Sequence, residues 1–600
     1  MLKPSSDRLN YSDLLKPPEG YQTDFALGTT YSLNLEALLG VPLALFLSEE
    51  MNKSILNNPI LVLDGLRRSA DQFALLCEGG QIKVPQNQNT LFSFLEDSVF
   101  EVALPHDFSF HPKVWIIRYH NKSKQPLYRL LVLSRNLTFD RSWDLAVCLE
   151  GRVAVGTDEI VATSKQNEPL IKFVDYLRDN LRDKVDNRKK QNKIKKIQEE
   201  LENIRFETKD SNYPSFSFHP LGIPDYTNRP AELFDYYNDL LIISPFISKR
   251  MVERLTELAL SNSTRTLITQ RPEITKLSEE LLDKFDVYVM KESVVEGEEG
   301  LSGDDLGGEH YQSQDIHAKF YARSKNAHHS LFVGSANCSE HAFGGNVEFL
   351  LHLRYRKHGF RVRHLLDDLF GTDERDNPFE QIKIPPEVDE FDTTTTDLLE
   401  KAIKQLCRTH SKASVSKEGS QYRITIKFAS IPNDLDLTIA SIAGTHSVKL
   451  EQETTIPLLP LDQLSEFYQV TASKEEAIVR RIIKIKTIGI PEGRDKAVFK
   501  SIIRDRETFM KYIAFLLADN RLLSSLEQIE IDRLNKGGWD DHQLLMPVFY
   551  ENMLKTVARE PERLNDIEKV LNLIDDPEII PDAFGEMYQT FSHVSKQVNK

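Results

Sequence analysis

The chain has 600 residues, a mass of 68.9 kDa and four widely scattered cysteines. That length predicts about three or four domains, and 40% apolar with 28% charged residues describes a globular chain with ample core material. The net charge of −16 argues against a generic nucleic-acid coat but leaves room for an enzyme with a local basic cleft.

The longest apolar run, residues 40–47, falls far short of the roughly 18–20 residues of a membrane span. The N-terminus is polar and proline-rich, without the apolar stretch of a signal peptide. Cys77, Cys148, Cys338 and Cys407 form neither a disulfide framework nor a zinc pattern. A cytoplasmic location without membrane association is expected.

In chain order, residues 29–35 read as a strand, 37–50 as an apolar helix and 60–65 (ILVLDG) as a second strand. Residues 99–104, VWIIRY, LLVLSRN and 144–149 follow as further strands. A charged stretch at 184–196 includes Arg188, Lys189, Lys190, Lys193, Lys195 and Lys196, then acidic Glu199, Glu200 and Glu202. It reads either as a solvated helix with i,i+4 pairs or as a basic arm touching nucleic acid. A second α/β series begins at residues 239–246 with a helix over 249–260, then TRTLITQ, another helix, FDVYVM, AKFYARS, SLFVGSAN and NVEFLLHL. The shared order of elements reads as a duplicated domain. Within the second series, just before its histidine motif, residues 292–309 hold seven acidic residues, five glycines and no basic residue, a flexible loop that could serve as a lid or phosphate mimic. Residues 421–490 carry short β-rich runs, and from 497 onward apolar residues recur at helical spacing.

His-x-Lys occurs four times, at His111/Lys113, His120/Lys122, His317/Lys319 and His410/Lys412. Two of these share a layout. His111 and Lys113 lead through an apolar strand to Ser134 and Asn136, with Asp144 opening the next strand. His317 and Lys319 lead in the same way to Ser335, Asn337 and Glu348. The His120 and His410 pairs lack this context and are discounted. A metal site from His310, His317, His328, His329 and His341 is also discounted, because their spacings match no zinc pattern. No cofactor or metal is expected.

Such a duplicated set suits phosphodiester chemistry. One neutral imidazole can attack phosphorus to give a phosphohistidine, and a second can protonate the leaving oxygen and then activate water. Lys113, Lys319, Asn136 and Asn337, with Ser134 and Ser335, can bind the phosphate oxygens and stabilise charge. Asp144 and Glu348 can each fix a ring's tautomer.

HAKFYARS…VGSANCSEHAFGGNVEF resembles the phospholipase D superfamily motif, H-x-K followed by G-S-x-N and an acidic residue. HPKVWIIRY…LSRNLTFDRSWD resembles it less closely, lacking the glycine before Ser134 and placing Asp144 eight residues after Asn136, against eleven from Asn337 to Glu348. The aspartate of the HKD form is replaced by Arg118 and Ser324, which is similar to the tyrosyl-DNA phosphodiesterase branch. SRNLTFDRSWD is also similar to phospholipase-D-like nucleases that accompany helicases in bacterial restriction and antiphage systems.

The resemblance covers roughly residues 20–375. It implies an α/β fold of two phospholipase-D-like repeats forming a pseudo-dimeric core, followed by a β-rich and an α-helical C-terminal domain. The corresponding bounds are 1–160 and 216–380 for the lobes, 161–215 for a helical connector, 381–492 and 493–600 for the accessory domains. It further implies a metal-independent nuclease acting on DNA in preference to RNA, with His111 as nucleophile and His317 as general acid or the reverse, in antiphage defence. A helicase, translocase or other defence-system subunit is the partner expected at the C-terminal domains. A DNA-end-processing enzyme and a non-catalytic nucleic-acid-binding scaffold are the alternatives.

Overall fold

Two of the sheets share one strand order, and that order positions everything else. A computed structural model describes the chain except residues 1, 4–6, 8, 48–57, 70, 140–141, 182–186, 228, 293–314, 372–376, 385–393, 518–541, 560–562 and 599–600. The first lobe contains β1 (Tyr21–Thr30), the short β2 (Leu33–Asn34), β3 (Phe73–Glu78), the short β4 (Ile82–Lys83) and β5 (Val99–Val102). It continues with β6 (Val114–Asn121), β7 (Pro126–Leu133), β8 (Ala146–Val153) and β9 (Ile204–Glu207). Its large sheet runs β5-β3-β1-β6-β7-β8-β9, with β5, β3 and β1 parallel and the remaining pairs antiparallel.

The second lobe contains β10 (Ser215–Leu221), β11 (Tyr237–Ile243), β12 (Ala259–Ile268) and β13 (Asp286–Met290). β14 (Phe320–Lys325), β15 (His328–Gly334), β16 (Glu348–Tyr355) and β17 (Phe379–Ile382) complete it. Its order is β10-β16-β15-β14-β11-β12-β13-β17, with β11, β12 and β13 parallel. The run β13-β12-β11-β14-β15-β16 therefore matches β5-β3-β1-β6-β7-β8 strand for strand, parallel on parallel and antiparallel on antiparallel.

Three sequence expectations need correction. Residues 60–65 are not a strand but part of the helix Pro59–Ser69. Asn58 caps it, its Oδ1 accepting the N–H groups of Ile60 (3.2 Å) and Leu61 (3.4 Å), and Asp64 pairs with Arg68 one turn on at 2.7 Å. The helix is covered on most sides, so its apolar run shows no amphipathic period and imitates a buried strand. The strand in that place is β3, FALLCE, buried at every position. The expected 29–35 strand splits into β1 and β2, and the helix begins at Leu35, capped by Asn34, changing to a π-helix over Leu43–Leu47.

Helices Thr157–Asp179 and Arg188–Leu201 join the lobes. Two cations of the second, Lys190 and Lys193, are engaged in the fold, whereas Arg188, Lys189, Lys195 and Lys196 are exposed. Lys190 is buried, donating to Asp97 O and Ser98 Oγ, and Lys193 donates to Asp24 O at 3.1 Å. Glu200 takes a bidentate bond from Arg118 (2.8 Å and 2.8 Å) and one from Tyr128 (2.7 Å). Apolar residues of both sheets and both helices form one core, including Phe173 packed at a tilt against Phe349 with ring centroids 4.9 Å apart.

Beyond the helix Thr394–Arg408 lie β18 (Ser411–Glu418), β19 (Gln421–Phe428), β20 (Asp436–Ser441), β21 (Val448–Lys449) and β22 (Glu453–Leu459). β23 (Phe467–Lys474), β24 (Ala477–Lys484) and β25 (Thr487–Ile488) follow. One sheet is β22-β19-β18-β25; the other, β2-β4-β24-β23-β20-β21, incorporates the two short strands of the first lobe. Helices Arg494–Ile502, Arg506–Leu517, His542–Arg559, Arg563–Ile574 and Asp582–Val598 close the described chain. No described helix is long and apolar enough to cross a membrane. The acidic stretch 292–309 lies, apart from Glu292, outside the described residues.

Candidate active site

The two lobes meet through short parallel bridges, Phe110 with Val347 and Trp143 with Ile316. His111 N–H donates to Val347 O (2.9 Å) and Val347 N–H to Ser109 O (3.0 Å). In the counterpart, His317 N–H donates to Trp143 O (2.9 Å) and Trp143 N–H to Asp315 O (3.0 Å). Each histidine segment thus runs against the carboxylate segment of the opposite lobe.

The side chains follow that register. His111 Nδ1 lies 2.9 Å from Glu348 Oε2, and His317 Nδ1 lies 3.4 Å from Asp144 Oδ1. Glu348 directly follows Val347, and Asp144 directly follows Trp143. The unequal sequence offsets of the two carboxylates therefore converge on one structural position, and each carboxylate serves the histidine of the other repeat. With Nδ1 engaged, Nε2 is the ring atom each histidine has for chemistry.

Ser134 and Ser335, expected as phosphate ligands, have no exposed surface. Ser134 Oγ donates to Asp144 Oδ1 (2.8 Å) and accepts from Leu145 N–H (2.8 Å). Ser335 Oγ donates to Glu348 Oε2 and accepts from Phe349 N–H (3.0 Å). Both hydroxyls are committed to holding a carboxylate on its strand. Lys113 and Lys319 are buried, and each Nζ donates to the carbonyl of the histidine two residues before it. Asn136 Oδ1 accepts from Ser32 N–H (3.4 Å), whereas Asn337 Oδ1 is buried without a hydrogen-bond partner.

The two halves differ electrostatically. Burial pushes the Glu348 carboxyl up to about 8, against the pull of Lys113, Ser335, Asn346 and Lys319. Burial also takes His111 well below its ordinary 6.5, reinforced by Lys113, Lys319 and His317. Asp144 resists its own burial and is held at about 2 by the hydrogen bond and charge of His317, then by Lys319 and Ser134. His317 is lowered by burial and Lys319, with Asp144 acting against them. Its partner is thus a permanent anion, whereas the partner of His111 is an acid that titrates near neutrality. The side chains of His111 and His317 are 12% and 22% exposed, so both are partly open to solvent.

Most supporting residues had no signal in the motif. Glu78, at the end of β3, accepts Phe110 N–H at 2.6 Å, just before His111. Lys404, from the helix Thr394–Arg408, pairs with Glu78 and donates to Phe108 O (2.8 Å) and Ser109 Oγ (3.0 Å). Asn346 joins Ser109 N–H (3.0 Å) to Glu348. Tyr31 packs edge-on against His111 at 5.0 Å. Of these, only Asn346, two residues before Glu348, belonged to the motif read from the sequence. The discounted His120 lies at the far end of β6, near Gln22 O (3.2 Å) and Lys124 (3.0 Å).

No family model and no curated protein matches the chain. Among solved structures, yeast tyrosyl-DNA phosphodiesterase is similar at 13% identity and TM-score 0.36, covering 59% of this chain and 88% of that one. Phosphatidylserine synthase of Haemophilus influenzae Rd KW20 gives 11% and 0.34, covering 66% and 90%. Polyphosphate kinase of Porphyromonas gingivalis gives 10% and 0.29, covering 60% and 43%. All three are phospholipase D superfamily folds. At these identities and TM-scores the similarity assigns no activity to this chain.

Proposed function

We propose that the chain is a phospholipase-D-like phosphodiesterase that works through a covalent phosphohistidine without needing a metal. The observation that carries this is the reciprocal pairing of His111 with Glu348 and His317 with Asp144 across the lobe junction. In the competent state His111 donates Nδ1–H to the Glu348 carboxylate, leaving the Nε2 lone pair to attack phosphorus. The leaving oxygen departs as a P–O bond breaks, taking the proton of His317, whose imidazolium the ionised Asp144 favours. Neutral His317 then removes a proton from water, which attacks phosphorus and breaks the P–N bond to restore His111. Lys113 and Lys319 supply positive charge for the phosphoryl oxygens, with Asn136 and Asn337 as amide ligands. Ser134 and Ser335 position the carboxylates rather than bind substrate.

The substrate assignment to DNA, and a place in antiphage defence alongside a helicase or translocase, rest on the motif resemblance. The test is to trap radiolabelled phosphate on the protein in EDTA, offering duplex and single-stranded DNA, RNA, a 3′-tyrosyl oligonucleotide and a phosphatidylcholine vesicle. DNA cleavage with label lost in both His111→Asn and His317→Asn is expected. Processing of the tyrosyl oligonucleotide alone would establish end repair instead, and cleavage surviving both substitutions would overturn the site.

A further inference from the structure

A cluster of potential metal ligands, on β10, on β16 and in the segment between β10 and β11, lies away from the reacting histidines. His219, Glu232 and His352 place a ligand atom each within 4.8 Å of one another. His352 is four residues beyond Glu348 on β16, about 13 Å along the strand, so the cluster is separate from the reacting groups.

Ser217 Oγ bonds His219 Nε2 at 3.0 Å and His352 Nδ1 at 3.2 Å. One hydroxyl thus engages one nitrogen of each ring, and a metal held by the other two, His219 Nδ1 and His352 Nε2, would leave both bonds in place. Outer-sphere bonds of this kind fix the rings of metal-bound histidines. His352 is 1% exposed, and its Nε2 is buried without a hydrogen-bond partner. Its ring is held flat against Phe332, centroids 4.4 Å apart and planes 10° apart, so it cannot swing out to find water. A buried polar atom left in this state carries a penalty that a ligand would remove.

We propose that His219, His352 and Glu232 bind a divalent transition metal of the zinc class. Two imidazoles and one carboxylate suit such a borderline ion, whereas calcium and magnesium prefer all-oxygen shells. Tetrahedral zinc with bonds of about 2 Å requires the ligand atoms to draw in by up to about 1.5 Å. Glu232, half-buried in the segment between β10 and β11, supplies that movement. The cations facing His352 are Arg323, paired with Asp235 at 3.3 Å, and the exposed Arg354. The segment 222–236 carries the chain from edge strand β10 past β16, β15 and β14 to β11, so a bound ion would clip this connection to the sheet it crosses.

The test uses the full chain stripped by chelator, titrated with Co²⁺ and then Zn²⁺ while visible absorption, bound-metal content and the unfolding midpoint are followed. The expected result is about one equivalent of Co²⁺ with a tetrahedral spectrum, displaced by Zn²⁺, and a midpoint that rises with Zn²⁺ concentration. Glu232→Gln should weaken binding at least about 10-fold, and His219→Asn with His352→Asn should abolish it. Should the buried His352→Asn variant fail to fold, His219→Asn and Glu232→Gln, at half-buried positions, decide the matter. Failure of the wild type to take up an equivalent, or equal uptake by the His219 and Glu232 variants, would sink the proposal. Neither outcome depends on the phosphodiesterase reading, because none of the measurements is a rate.

Discussion

Glu348 carries opposed demands. Its carboxyl is raised from 4.5 to about 8, chiefly by burial, so the folded state binds its proton more tightly than the unfolded state does. The stability this contributes is fully present below about 4.5 and is lost as pH rises through about 8. Glu348→Gln should therefore raise the unfolding midpoint at pH 9 relative to the wild type, by an amount worth at most about 5 kcal/mol, and show little gain at pH 5. The same substitution should slow phosphohistidine formation by about 10²-fold or more, because a glutamine amide can present NH₂ to Nδ1 and select the wrong tautomer. Wild-type phosphoenzyme formation should rise with pH as the His111–Glu348 pair loses its shared proton, and that rise should vanish in the variant. Single-turnover rates against pH check both. The two histidines separate on a p-nitrophenyl phosphodiester, whose leaving group needs no proton. His317→Asn should release about one equivalent of nitrophenolate in a burst and then stall, while His111→Asn gives no burst; the opposite pattern would exchange their roles. The histidines, lysines, asparagines and carboxylates of this site were legible as a duplicated motif. Their pairing was not, because the partner of each histidine lies 237 or 173 positions away in the other repeat and only the cross-lobe bridges bring it close.

Elements set how firmly those side chains are held. A Cβ at Gly334 would stand 2.1 Å from Phe349 O, so β15 and β16 approach here in a way only glycine permits. Gly334→Ala should push the strands apart at the point where Ser335 holds Glu348, lowering both the midpoint and turnover. The first repeat has Leu133 at this position, buried in the core. On the other side, Glu78 is fully buried and its carboxyl is raised by burial against the charge of Lys404. Lys404→Met leaves that carboxylate without its counter-ion and should cost about 3 kcal/mol, whereas Glu78→Gln combined with Lys404→Met should recover much of the loss. Chemical denaturation of the three variants checks the cycle, and equal loss in the single and double variants would refute it. Sequence periodicity found most strands of both lobes but mistook the helix Pro59–Ser69 for a strand. The Asn58-Pro59 cap was a visible start signal, yet burial on most sides erased the period that would have confirmed it.

At the scale of the molecule, the lobes and accessory elements are not independent. Leu38, Val41, Leu61 and Leu66 of the first lobe share one apolar core with Phe499, Tyr512, Ile567 and Phe584 of the C-terminal helices. Tyr512 also donates to the buried Asp64 at 3.3 Å, and Arg67 and Arg68 approach Asp566 at 3.7 and 3.8 Å. In the same way β24 extends the sheet of β4 and β2, with Ile482 opposite Ile82, so removing it would bare an unpaired strand edge. These contacts join residues hundreds of positions apart and leave no local pattern in the sequence, although they interlock the C-terminal elements with the first lobe. A chain ending at residue 492 keeps every motif residue but uncovers the faces of helices Leu35–Pro42 and Pro59–Ser69. Each large apolar side chain so exposed forfeits about 1.5–3 kcal/mol of burial. The shortened chain should therefore express in aggregates or bind a hydrophobic dye strongly, and lose phosphohistidine formation together with its fold. A soluble, monomeric truncation with wild-type labelling of His111 would show instead that the catalytic lobes stand alone, and that the C-terminal helices serve only a partner.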